Sequence, residues 1–237
     1  MSVLLEVLPS RRVFGALPQA VSGVSADSRR VRPGDCFVAV PGFRQDARRF
    51  IPDAVRRGAA VVVTEGEPVA GVQAPQILVP SARLALARLA DAWYGHPSRD
   101  LTLVGVTGTN GKTTTSYLVE ALLRAAGLRT GVLGTIQYVV GAHVRPAGQT
   151  TPEALEIQAM LADMRGQGVG GVAMEVSSHA LALSRVDGLE FDVAVFTNLT
   201  QDHLDFHGTL DDYRQAKRRL FELLAASAKP RRTAVVN

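Results

Sequence analysis

The segment Gly108-Thr109-Asn110-Gly111-Lys112-Thr113-Thr114 constrains this chain more than any other, because of what flanks it. An apolar run of strand type, residues 101–106, leads in, and a helical pattern from 112 to about 126 leads out. A strand that breaks at a glycine-rich turn and restarts as a helix points successive backbone N–H groups at one spot. With the helix N-terminus behind them, those groups form a cradle for an anion. Lys112 adds a compact charge suited to β/γ-phosphates, and Thr113 adds a hydroxyl suited to Mg²⁺. The pattern is not a strict Walker A, whose first glycine would fall at Val106, with Gly105 one place early. A nucleotide phosphate is the expected ligand of residues 108–114.

Lysine is scarce. Only Lys112, Lys217 and Lys229 occur among 26 basic residues. Arginine keeps its proton near neutral pH and binds as a planar fork, so each retained lysine is a candidate for chemistry that arginine cannot perform. The net charge of +4 comes without a basic block interleaved with aromatics, which argues against nucleic acid and is compatible with small polyanions. With 46% apolar residues the chain can build a core. Cys36 stands alone, which excludes a disulfide scaffold and suits a reducing compartment. No apolar run reaches the roughly 18–20 residues that span a bilayer. In residues 1–12 the basic pair follows a short apolar stretch broken by Glu6, unlike a secretion signal. The expectation is a cytoplasmic monomer with no membrane or nucleic-acid partner.

The fold class expected is α/β: a small N-terminal α/β domain, then a mostly parallel α/β domain that carries the P-loop. Residues 35–40, 59–63 and 77–79 read as strands of the first, and a helix runs from Ser81 to a stop at Gly95 and Pro97. The stretch 95–100 reads as the linker, which gives domains 1–98 and 99–237. In the second, strands are expected at 130–133, 136–140, 171–176, 191–197 and 233–236. Thr151-Pro152-Glu153 reads as a helix start with a capping hydroxyl, and Thr209 as the cap of a helix that reaches Ala226. The final strand is followed at once by Asn237, so the central domain is expected to be incomplete.

Two further clusters belong at the carboxyl edge of the sheet, where open α/β sheets bind ligands. Glu175 ends an apolar strand, where a carboxylate can hold Mg²⁺ directly or through water, and Val176-Ser177-Ser178-His179 follow it. Residues 198–207 hold Asn198, Asp202, His203, Asp205 and His207. Their spacing fits no zinc template, which leaves a hard-cation or substrate role, or a loop closed by Asx turns. Lys217 falls in a helix and by itself reads as a solvated position; the scarcity of lysine argues otherwise.

Residues 108–114, Thr150-Thr151-Pro152, 175–181, 198–208 and 213–221, taken in order, resemble the Mur ligases. Asp27-Ser28-Arg29, Pro33-Gly34-Asp35 and residues 42–51 resemble that family's first domain. The resemblance is strongest to the branch that adds the third amino acid, diaminopimelate or lysine, to UDP-N-acetylmuramoyl-L-alanyl-D-glutamate in peptidoglycan precursor synthesis. It implies an ATP-dependent amide ligase with two Mg²⁺ ions. ATP phosphorylates a carboxylate, the incoming amine attacks the acyl phosphate, and phosphate leaves. Gly108, Thr109, Asn110, Gly111, Lys112, Thr113 and Thr114 would bind ATP. Thr113 and Glu175 would hold the first Mg²⁺, and His203 would help to hold the second. Lys217 matches the family's carbamylated lysine, and Lys112, His203 and Lys217 would be catalytic. Ser28, Phe43, Arg44 and Gln45 match contacts to the uridine diphosphate. Gln149, Thr150, Thr151, Ser177 and Arg185 match contacts to the muramoyl dipeptide.

Two positions depart from the family pattern. Ala47 stands where a glycine is common, so its backbone must not need positive φ, and Leu183 stands where some members of the family use a glutamine. The third, amino-acid-binding domain of a Mur ligase is absent from the sequence, so this chain alone is expected to be inactive. Two alternatives stay open. One is a non-catalytic nucleotide- or UDP-sugar-binding module. The other is a ligase like folylpolyglutamate synthase, against which the domain ahead of the P-loop argues.

Overall fold

The computed structural model describes residues 2–8, 10–42 and 46–237. It divides into two compact units, residues 1–93 and 94–237.

The first unit begins with α1 (Ser2–Glu6), β1 (Arg12–Phe14), β2 (Val24–Ser25) and β3 (Cys36–Val38). It continues with α2 (Ile51–Arg56), β4 (Val61–Thr64), β5 (Gln76–Leu78) and α3 (Ala82–Trp93). The strands form one sheet in the order β1-β5-β4-β3-β2, parallel except for β1. Val61-Val62-Val63 is fully buried, as β-branched residues in a strand covered on both faces should be. Ile51 and Ala54 of α2 close on Phe37 and Val62. Ala82, Ala85, Leu86, Leu89 and Ala90 of α3 repeat at helical spacing and are all buried. Nothing in the hydropathy pattern marks β1 and β2, which are three and two residues long, and β1 is wholly exposed. Ala47 starts a 3-10 turn, outside the positive-φ region, so no glycine is needed there.

Residues 95–100, read from the sequence as a linker, pack with the second unit. Pro97–Asp100 is a 3-10 turn, and Arg165 donates to the carbonyls of Gly95 (2.8 Å) and Tyr94 (3.1 Å). From there the chain runs β6 (Thr102–Thr107), α4 (Lys112–Ala125), β7 (Thr130–Leu133), β8 (Gln137–Val140) and β9 (His143–Pro146). Next come α5 (Ala154–Gly166), β10 (Gly171–Glu175), α6 (Ser178–Ala182) and β11 (Val193–Phe196). The last elements are α7 (Leu204–His207), α8 (Leu210–Ala226) and β12 (Thr233–Val236). The sheet order is β12-β11-β6-β10-β7-β8-β9. The first five strands are parallel, and β8 and β9 add antiparallel. Among the described residues, no helix is long and apolar enough to cross a membrane.

The core of this unit lies between α5, α6, α8 and the sheet, where Leu103, Val172, Met174 and Ala194 meet Ile157, Leu161, Leu181 and Leu220. Gly105 sits mid-strand in β6, and a Cβ there would lie 2.8 Å from the Phe191 ring and 3.1 Å from Leu220 Cδ1. The absent side chain is therefore part of the packing. We predict that Gly105→Ala destabilises this unit by about 1–3 kcal/mol through overpacking. Phe191→Leu combined with it should recover part of that stability in a double-mutant cycle measured by urea unfolding. Strict additivity would show that the two positions do not touch.

Candidate nucleotide and metal site

Strand register creates the site. Val106 pairs with Glu175, and Thr107 pairs with Phe196, so β10, β6 and β11 end level with one another. The turns that follow them, 108–111, 176–177 and 197–203, therefore open along one edge of the sheet, at the point where the order reverses direction around β6.

The loop after β6 is held from the β11 side. Asn198 accepts from the Thr109 N–H at its carbonyl (2.9 Å) and from the Asn110 N–H at Oδ1 (3.0 Å). The Asn198 amide and the Thr197 hydroxyl return bonds to the Asn110 carbonyl at 3.1 and 2.6 Å. Thr109 Oγ1 donates to the Thr200 carbonyl and accepts from the Thr200 N–H and the Tyr213 hydroxyl. Gly108 has φ of +146°, and a Cβ there would come within 1.9 Å of Thr197 Oγ1, so only glycine fits. Gly111, at φ +82°, is the N-cap of α4. Thr109 and Asn110 thus commit their N–H groups to shaping the loop. The first-turn N–H groups of α4, which have no intrahelical acceptor, face the anion position.

Two lysines meet at one oxygen. Lys112 Nζ donates to the carbonyls of Gly108 (3.0 Å) and Thr109 (2.8 Å), and Lys217 Nζ donates to the same Gly108 carbonyl at 2.7 Å. Lys217 is only 3% exposed and lies 4.2 Å from the centre of the Tyr213 ring. Burial, reinforced by Lys112, brings its pKa down to about 7, so an appreciable share of this amine is neutral at physiological pH. Burial also lowers Lys112, with Glu175 and Asp202 opposing. The solvated position suggested by helix context alone is corrected here. Tyr213, Lys217, Leu220 and Leu224 form the buried stripe of α8, spaced four, three and four residues apart.

Glu175 is 1% exposed. Its Oε2 accepts from the hydroxyls of Thr113 (3.1 Å) and Thr135 (3.0 Å), and Oε1 accepts from the Thr135 N–H (2.8 Å). A hydroxyl and a carboxylate oxygen side by side next to a phosphate cradle are the donors a hard cation takes, so Thr113 and Glu175 fit a nucleotide-linked Mg²⁺. His203 stands in another group. Its ring lies 4.9 Å from His179 and 6.1 Å from Tyr213, and Phe206 and His207 complete the cluster. Burial lowers the pKa of His179, helped by His203, and that of His207, helped by His179. Among the described residues, no three His, Cys, Asp or Glu side chains gather as a metal-binding group.

Gln149, Thr150, Thr151, Ser177 and Arg185 form one network with Glu175. Arg185 donates to Gln149 Oε1 (2.6 Å) and the Thr151 carbonyl (3.0 Å) and pairs with Glu153 at 2.7 Å. The Thr151 hydroxyl donates to the Glu175 carbonyl (2.9 Å) and accepts from the Ser177 N–H (3.0 Å). It is therefore not a helix cap; Glu153 holds the N-cap position of α5. Thr150 Oγ1 lies 3.1 Å from Thr135 Oγ1. Ser28, in the first unit, is buried in a 3-10 turn that Asp27 caps through the Arg29 N–H. Phe43, Arg44 and Gln45 lie outside the described residues. Sequence reasoning passed over Thr135, whose short polar side chain follows a strand without any motif, and over the ties from Thr197 and Tyr213 to the loop.

Sheet, loop and helix together define a P-loop α/β protein. Comparison with known families narrows that class. Residues 106–237 match the Mur ligase middle domain and residues 20–94 match the Mur ligase family catalytic domain, so the chain belongs to the Mur ligase family. It is 48% identical over 236 residues to the "UDP-N-acetylmuramoyl-L-alanyl-D-glutamate--2,6-diaminopimelate ligase" of Geobacter sulfurreducens, covering 99% of this chain and 46% of the relative. It is 50% identical over 228 residues to the "UDP-N-acetylmuramyl-tripeptide synthetase" of a Roseiflexus species, covering 92% and 45%. A solved structure of a diaminopimelate ligase with the same name as the Geobacter protein superposes with a TM-score of 0.80 at 32% identity, over 99% of this chain and 46% of that one. Thermotoga maritima MurF ligase in complex with ADP gives 0.55 at 28%, over 90% and 45%. The chain spans about half the length of the curated relatives it matches.

The unfolded chain keeps the Lys217 proton up to the ordinary pKa of 10.5, whereas the native protein releases it near 7. Between those values the unfolded state binds more protons, so raising the pH stabilises the native state. We predict that, in buffers purged of carbon dioxide, wild-type stability rises relative to Lys217→Met across pH 7 to 10.5, by up to about 1.4 kcal/mol per pH unit. Parallel urea-unfolding profiles for the two proteins would refute the buried amine.

Proposed function

We propose that this chain carries the UDP-binding and ATP-binding parts of a ligase that extends UDP-N-acetylmuramoyl-L-alanyl-D-glutamate by one amino acid, diaminopimelate, in peptidoglycan precursor synthesis. Diaminopimelate is the amino acid that the names of several relatives print, which supports this choice. The observation that carries the reading is the convergence of Lys112 and Lys217 on the Gly108 carbonyl, beside the Thr113–Glu175 pair. A phosphate cradle alone fits many reactions. A second buried amine with a pKa near 7 at the same loop fits few.

In this reading Lys112 turns from the loop carbonyls to the β/γ-phosphates of ATP, and the N–H groups at the start of α4 hold the phosphate oxygens. Divalent ions bound at Thr113 and Glu175, and near His203, would offset the repulsion between an anionic acceptor and the γ-phosphate. Arg185 and Gln149, Thr150, Thr151 and Ser177 would hold the acidic peptide. The acceptor carboxylate gains the γ-phosphoryl group and ADP departs. The neutral amine of the incoming amino acid then forms the amide bond, and inorganic phosphate leaves with the proton that the amine gives up. Lys217, when neutral, adds carbon dioxide through its nitrogen and releases a proton. The resulting carbamate places a negative charge where metal ions and Lys112 can meet it. Arginine cannot undergo this step.

Two measurements test the assignment. Lys112→Ala should weaken ATP binding about tenfold or more by calorimetry, the scale of removing one charge-assisted hydrogen bond. Unchanged affinity contradicts the P-loop role. With ¹³C-labelled bicarbonate, the wild type should give a carbamate resonance that Lys217→Arg lacks, while Lys217→Arg still binds ATP. A resonance that persists in the variant places the modification elsewhere. Failure of the chain to bind either ATP or UDP-N-acetylmuramoyl-L-alanyl-D-glutamate defeats the whole reading.

A further inference from the structure

Thr135 approaches Glu175 twice. Its main-chain N–H donates to Oε1 at 2.8 Å and its hydroxyl lies 3.0 Å from Oε2, so a single residue places one donor on each carboxylate oxygen. The terminal torsion of a glutamate is soft, and two donors from one fixed residue set the plane of the group. The backbone that carries them is itself fixed. Thr135 follows β7, which pairs with β10 with Leu133 opposite Met174, the residue before Glu175. The turn passes close to the carboxylate, since a Cβ on Gly134 would lie 2.5 Å from Oε1.

The Thr135 hydroxyl has one proton and two neighbours, Glu175 Oε2 and Thr150 Oγ1 at 3.1 Å. The carboxylate is the stronger acceptor and takes the proton, which leaves the Thr135 oxygen to accept from Thr150. The proton order thus runs from Thr150 to Thr135 to Glu175. Thr150 is left with its own oxygen as an acceptor.

We propose that Thr135 is a positioning residue for the metal carboxylate. It holds Glu175 so that Oε2, the oxygen 3.1 Å from the Thr113 hydroxyl, faces the divalent cation that accompanies the nucleotide. This rests on the reading of Thr113 and Glu175 as hard-cation ligands. Partners that orient metal ligands in this way commonly change metal affinity 10- to 100-fold when removed.

The test titrates ATP calorimetrically into wild type, Thr135→Val, Thr135→Ala and Thr135→Ser, in excess EDTA and over a series of MgCl₂ concentrations. Thermal unfolding verifies that each variant folds. Valine keeps the shape and the main-chain donor but lacks the hydroxyl, alanine removes the hydroxyl without a branched side chain, and serine restores it. The expected result is an apparent Mg²⁺ affinity about tenfold or more weaker in the valine and alanine variants, with ATP affinity in EDTA unchanged and serine close to wild type. If the valine and alanine variants match wild type, or weaken by the same factor with and without Mg²⁺, the positioning role falls and the metal-ligand reading of Glu175 stands. If wild-type ATP binding itself is indifferent to Mg²⁺, both fall together.

Discussion

Everything at the candidate site depends on two amines sharing one carbonyl oxygen. Lys112 and Lys217 both reach Gly108, and two full charges so close together inside a protein would repel strongly. The molecule resolves this by leaving Lys217 largely buried and lowering its pKa to about 7, so that charge need not be present on both. Such an arrangement holds only if the loop cannot relax away. Asn198, Thr197, Thr200 and Tyr213 prevent that from the side of β11 and α8. A P-loop is usually described by its glycines. Here its shape is as much the product of a second loop that follows a different strand.

The carboxylate side is built on the same plan. Glu175 is buried at the end of β10 and meets three hydroxyl or N–H donors from Thr113 and Thr135, while its own carbonyl accepts from Thr151. Thr151 passes the connection to Ser177, and Arg185 joins Thr151 to Gln149. A hydrogen-bonded chain of this kind ties the nucleotide end of the edge to the residues proposed to hold the acid substrate. Partly satisfied networks are costly in a low-dielectric setting, so each member constrains the others.

The fold was largely legible because its signals are local. The apolar strand and glycine turn ahead of Lys112, the hydroxyl of Thr209 on the Asp212 N–H, and the helix that ends at Ala226 all follow from near neighbours. The misses share the opposite cause. Thr151 looked like a cap because Pro152 follows it, yet its hydroxyl bridges residues more than twenty positions away. Residues 95–100 looked like a linker because glycine and proline are there, yet Arg165 draws them onto α5. The buried state of Lys217 was available in principle from the spacing of Tyr213, Leu220 and Leu224. A charge on that stripe contradicts ordinary helix logic, which is why only the scarcity of lysine hinted at it.

The amino-acid order by itself determined the alternation of strand and helix, the glycine-rich turn ahead of Lys112, and the short list of residues proposed to do chemistry there. Those follow from backbone sterics, apolar periodicity and side-chain type, all of which act over a few positions. Tertiary structure alone decided which of those residues meet. Parallel pairing of β6 with β10 and β11 levels the strand ends and brings Gly108, Glu175 and Asn198 together across as many as ninety positions of sequence, because hydrogen-bond register is a property of paired strands and not of any one of them.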